Sequence, residues 1–218
     1  MPSTDRAPRR KEKEGTPSIT PLFPLLLLQT MRDMDRPEEV LEDEDLTLSM
    51  PRRFGLSDVV GVQIRRFQEE VRQKRLQAPA PVVDLMRLVI RRPDAEAIFE
   101  EAGRRVARHL WGQRSGAMRR TIRLMPSPIS RLAAQRAARR MFARLSGGSK
   151  VSVARWPAEL QIQRPLTARA DPGGAACAFY AGAFSEVMTL YTGRRYRILH
   201  PLCAGRGDPH CRWSVEVS

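Results

Sequence analysis

Cysteine is scarce in this 218-residue chain: there are three, all after residue 176. An odd number placed this late argues against a disulfide framework and for a metal or redox role in a reducing compartment. Lysine is almost as rare. Lys11, Lys13, Lys74 and Lys150 are the only lysines among 38 basic side chains, so the net charge of +14 is an arginine charge. No apolar run reaches the roughly 20 residues that cross a bilayer. The longest candidate, Leu22 to Leu28 in PLFPLLLLQ, follows a basic stretch as a signal segment would. Pro21 and Pro24 interrupt it, however, and no small-x-small cleavage site follows. A cytoplasmic protein is expected, with weak membrane-surface contact allowed through that segment. There is no P-loop, no G-x-G-x-x-G and no cysteine set for an iron–sulfur cluster, so nothing in the chain marks an ATPase or a hydride-transfer enzyme.

What is present suits one folded domain with a tail. The apolar share, 42%, is that of a globular protein. Residues 1–20 are basic and rich in Pro, Ser and Thr, and residues 32–45 are strongly acidic. Residues 1–55 are therefore expected to be a largely disordered tail, with the domain spanning 56–218. Helix 57–76 begins at Ser57 and carries a narrow stripe of Val60, Ile64, Phe67 and Val71. That stripe packs on the domain or pairs with its copy in a homodimer. Further helices are expected over Val82–Ile90, Asp94–Gly112, Ser127–Leu145 and Gly173–Thr192. The period switches to alternation over Lys150–Arg155, Glu159–Arg164, Tyr196–Leu202 and His210–Val217. Helices come mostly early and strands late, an α+β class with helices packed on an antiparallel sheet.

The cysteines fall as C-x25-C-x7-C, with His200 three residues before Cys203. A glycine-rich turn, Ala204 to Pro209, can bring Cys211 back beside Cys203, and Cys177 lies early in a helix. Three thiolates and an imidazole suit tetrahedral zinc, and a site closed by four protein ligands is structural. Spacing alone also allows three buried apolar cysteines with a surface histidine, or a Cys203–Cys211 disulfide. His210 is the other histidine near Cys211, but it points to the opposite face of its strand. Arg206 and Arg212 lie close enough in sequence to offset the excess thiolate charge.

The stretch CAFYAGAFSEVMTLYTGRRYRILHPLCAGRGDPHCRWSVEV resembles the C-terminal half of the 4-vinyl reductase domain family. The matching elements are a cysteine opening a helix, a glycine near the helix end, a cysteine closing a strand and a Gly-Asp-x-x-Cys hairpin. The family occurs in bacteriochlorophyll-pathway proteins and in the sensing domains of bacterial activators that respond to aromatic compounds. The resemblance implies a fold related to nitric-oxide sensors and Golgi-transport (TRAPP) subunits. It implies Zn2+ on Cys177, Cys203 and Cys211, with His200 standing where sensing members carry a glutamate. It also implies a pocket for a small hydrophobic molecule, for which Phe99, Val106, Trp111, Phe179, Tyr180 and Phe184 are the candidates, with Tyr180 and Trp156 as polar anchors. Each of these has core packing as its simpler role.

The function expected on these grounds is a zinc-stabilised, non-catalytic sensor or carrier of a small hydrophobic ligand. The alternative is an accessory protein or 4-vinyl reductase-type factor in bacteriochlorophyll synthesis, with a tetrapyrrole ligand whose carboxylates meet the arginines. Five arginines line one face of the Ser127–Leu145 helix: Arg131, Arg136, Arg139, Arg140 and Arg144. Without interleaved aromatics they do not make nucleic acid an expected partner.

Overall fold

A computed structural model of the chain describes residues 18–35 and 46–216, with side chains in the second stretch described from residue 59. Its first helix, α1 (Leu22–Met34), falls where the sequence suggested a disordered tail. Leucine at successive positions covers every side of a helix, and such a helix has to be buried all round. Leu22, Phe23, Leu26 and Leu27 enter the main core, while Leu25 and Leu28 meet Ile64 and Phe67 of α2 (Leu46–Arg72). The folded body thus includes α1, well before residue 56. The same burial withdraws Leu22–Leu28 from the surface and corrects the membrane contact expected of it. Asp33 and Asp35, the start of the acidic stretch, lie back on the body by pairing with Arg105 and Arg92. Residues 1–17 and 36–45 lie outside the described residues.

The stripe of α2 is used within the chain: Ile64 and Phe67 are buried against α1, and Val60 and Val71 pack beside them. Next come α3 (Pro79–Ile90) and α4 (Ala95–Gly112). Asp94 begins α4 as expected, but its carboxylate binds Arg92 rather than capping the helix. Two further helices, α5 (Gly116–Leu124) and α6 (Ser127–Leu145), precede the strands. Strands β1 (Val151–Val153) and β2 (Glu159–Ile162) are followed by the short α7 (Leu166–Ala170). A 3-10 turn at Ala175–Cys177 then leads into α8 (Ala178–Thr192), and β3 (Ile198–Leu202) and β4 (Cys211–Val215) close the chain.

The α+β expectation holds: helices surround one antiparallel sheet of order β1-β2-β4-β3. Leu160, Ile162, Trp213 and Val215 alternate inward from its central strands. At the centre α4 crosses α8 at very short range. A Cβ on Gly103 would run into the backbone of Phe179, and one on Gly182 into the carbonyl of Glu100. Glycine at both positions lets the two backbones touch, and this crossing fixes where α8 begins.

Candidate metal centre

Cys177, His200, Cys203 and Cys211 converge at the N-terminal end of α8. One ligand atom from each lies within 4.8 Å of all the others. The three cysteines are fully buried and free, and His200 is half-buried. The sulfurs of Cys177 and Cys203 stand 3.9 Å apart. Two sulfurs bound at about 2.3 Å to one tetrahedral ion are about 3.8 Å apart, so this pair already spans a tetrahedron's edge. His210 is not in the group.

Local chemistry places each ligand. The buried carboxylate of Asp171 accepts backbone N–H groups from Gly173 and Ala176, both at 2.8 Å, and so shapes the turn that delivers Cys177. Asp208 accepts the Cys203 backbone N–H at 2.7 Å and pins the other turn. Gly174 has φ +88, and a Cβ there would lie 3.1 Å from the Cys203 sulfur, so only glycine leaves that sulfur room. His200 owes its position to an irregularity in β3. Leu199 faces Ser214 and Leu202 faces Arg212, so β3 carries one residue more than β4 over that span. Such a bulge re-aims a side chain, and Pro201 is tolerated because β3 is an edge strand. The imidazole stacks on Trp213 with ring centroids 4.7 Å apart and planes 5° apart. Its Nε2 is buried and has no hydrogen-bond partner. A buried ring nitrogen of this kind carries a desolvation cost that coordination to an ion would remove.

Among themselves the groups divide protons unevenly. The Cys177 thiol donates to Cys211, and this contact, added to burial, pushes Cys177 well above the ordinary thiol range. The same hydrogen bond lowers Cys211 to about 5, with help from His200 and the Ala204 backbone N–H. That N–H lies 3.2 Å from the Cys211 sulfur. The contact favours thiolate at Cys211 and thiol at Cys177. A divalent cation can replace the shared proton, and the start of α8 then favours thiolate at Cys177 as well. The residues fit a thiophilic metal ion. Of the two arginines expected to balance the charge, Arg206 reaches the carbonyl of His200 at 3.4 Å, whereas Arg212 lies toward Glu159 at 4.0 Å. Neither bonds a ligand sulfur, whereas the Ala204 N–H bonds that of Cys211. Asp171, Asp208 and the Thr167 hydroxyl, 3.2 Å from the Cys177 sulfur, were not singled out from sequence. The Asp-Pro-Gly-Gly and Gly-Asp-Pro turns were the available signal for the two carboxylates.

No family model, curated protein or solved structure matches this chain. The resemblance to the 4-vinyl reductase domain family thus stands on the quoted residues alone.

The six expected pocket residues are buried core. Phe179 packs edge-on against Phe23 at 4.3 Å, and Tyr180 lies among Phe142, Phe179 and Trp213. Phe184 meets Phe142, and Phe99 and Val106 are fully buried. Trp111 packs on Tyr191 at the floor of a surface groove of about 300 Å3. Trp156 packs at the margin of this core, beneath the guanidinium of Arg131 at 4.1 Å. Packing wins because neighbouring side chains fill the space between them: Phe23 of α1 beside Phe179, Phe142 of α6 beside Tyr180 and Phe184, and Trp213 of β4 beside Tyr180. A larger groove, about 910 Å3, opens instead between α1, α2 and α3, with Leu28, Met31, Val60, Phe67, Leu85 and Leu88 among its walls. Gln77 lies in the same lining, and its Oε1 is buried without a partner.

Proposed function

We propose that this chain is a zinc-clamped, non-catalytic module that binds a small hydrophobic molecule. The observation that carries this reading is the convergence of three thiols and an imidazole within 4.8 Å. Soft donors in a tetrahedral set favour zinc among the common divalent ions. Four protein ligands leave no open position for substrate, so the ion ties the start of α8 to the β3–β4 hairpin and takes no part in chemistry. The α1–α2–α3 groove supports the binding role. Its volume falls in the range of ligand pockets, its walls are apolar, and Gln77 Oε1 offers one acceptor to a hydroxyl or N–H of the occupant. The tetrapyrrole accessory role is the second reading. Arg75 in the lining favours it, because a guanidinium suits a carboxylated ligand.

Native mass spectrometry of the protein purified from its own host tests both parts. The expected spectrum shows one zinc and one organic adduct per chain. Leu88→Arg, at a residue that is 61% exposed, should remove the adduct and keep the zinc. Visible absorbance of the adduct would select the tetrapyrrole reading. Wild-type protein that carries zinc but no organic adduct would refute the binding role while leaving the clamp in place.

A further inference from the structure

We propose that the corner between α5 and α6 docks on an anionic lipid bilayer. From Gln113 to Ala158, past the ion-paired arginines of α4, the chain carries ten arginines and Lys150 and no Asp or Glu, although 24 carboxylates occur elsewhere. Arg120, Arg123, Arg136 and Arg139 in this stretch are exposed. A cationic surface this free of internal counter-charge attracts an anionic one.

The corner also exposes aliphatic side chains that a soluble surface has no use for. Leu124 is 85% exposed, Ile129 52%, Met118 49% and Leu132 40%. All four fall between residues 118 and 132, next to Arg119, Arg120, Arg123 and Arg131 in sequence. Ile129 and Leu132 are one turn apart on α6, and Arg136 and Arg139 continue the same face. Leu132 shares a shallow groove with Trp156, Arg131 and Arg155. Aliphatic tips flanked by arginines, with a tryptophan alongside, match the acyl boundary, the charged headgroups and the interface between them. α5 is attached to the body by Ile122, its one buried residue, so the rest of the helix is free to lie on a surface.

Phosphates of a nucleic acid would engage the arginines but give Leu124 and Ile129 nothing to bury against. A second copy would bring like charges together. The bilayer alone uses both halves of the surface. This site is separate from Leu22–Leu28, which is in the core.

The test is co-sedimentation of the full chain with phosphatidylcholine vesicles, with and without phosphatidylglycerol. The variants are Arg120→Glu/Arg123→Glu and Leu124→Asp, all at exposed positions, with circular dichroism to verify the fold. Wild type should pellet with the anionic vesicles only. Each variant should bind at least about tenfold more weakly, and added salt should weaken but not abolish wild-type binding. Equal partition to neutral vesicles would overturn the proposal. Loss in the charge variant without loss in Leu124→Asp, together with tight binding of single-stranded DNA, would reassign the surface to nucleic acid. Wild-type protein that ignores both vesicle types and dimerises through this corner would reassign it to a second copy.

Discussion

At the scale of single residues, the centre depends on side chains that shape turns as much as on the four ligands. Asp171 and Asp208 hold the two loops, and Gly174 makes room for the Cys203 sulfur. His200 is the ligand that rests on the least regular backbone, the bulge in β3, and on a stacking contact with Trp213. Replacing it distinguishes a ligand from a core residue. His200→Glu should retain metal, because a carboxylate oxygen also binds zinc at about 2.0 to 2.2 Å. His200→Ala should bind it at least about tenfold more weakly, measured by competition with a chromophoric chelator. Equal affinity of the two variants would mean that the fourth ligand is another group.

At the scale of elements, the close crossing of α4 and α8 is the joint on which the centre is aligned. Gly182→Ala places a methyl group against the carbonyl of Glu100, which only a backbone shift relieves. A loss of about 3 kcal/mol or more is expected by denaturant unfolding, at the upper end of overpacking costs. The docking of α1 should respond to pH. Burial alone raises the Asp33 carboxyl, but the hydrogen bond and charge of Arg105 outweigh it and hold Asp33 below the usual carboxylate range. A depressed folded value gives stability that is present above the unfolded value of about 3.9 and is lost as pH falls below it. Protection factors of the α1 amides, which remove the intrinsic pH dependence of exchange, should therefore fall below about pH 4, and Asp33→Asn should remove that step. The elements that were legible in the sequence explain those that were not. α4, α6 and α8 showed one apolar face each, and the late strands alternated cleanly. α1 was misread because an all-apolar run between prolines looks the same whether it is buried or targeted, and only its partners, Phe179 and Phe67, decide. α5 has one buried residue and α7 has five residues in all, too few to show a period.

At the scale of the whole molecule, the candidate metal centre and the arginine-rich corner lie in different parts of the chain. The candidate cluster was legible because thiols are rare here and only His200 and His210 lie near them in sequence; that the backbone brings in His200 and leaves out His210 is shown by the fold. The pocket was not legible, because whether facing aromatic side chains enclose space or fill it depends on partners distant in sequence, Phe23, Phe142 and Trp213. Among the described residues no helix is long and apolar enough to cross a membrane. The central claim is that Cys177, His200, Cys203 and Cys211 hold one zinc ion that secures the last hairpin, and that its binding energy is folding energy. The most direct measurement is zinc content by plasma emission, paired with thermal unfolding of wild type and Cys203→Ser. One zinc per wild-type chain and none in the variant is expected, with the variant's melting temperature lower by about 10 °C or more. Metal-free wild type that melts at the same temperature as the zinc-loaded protein would contradict it.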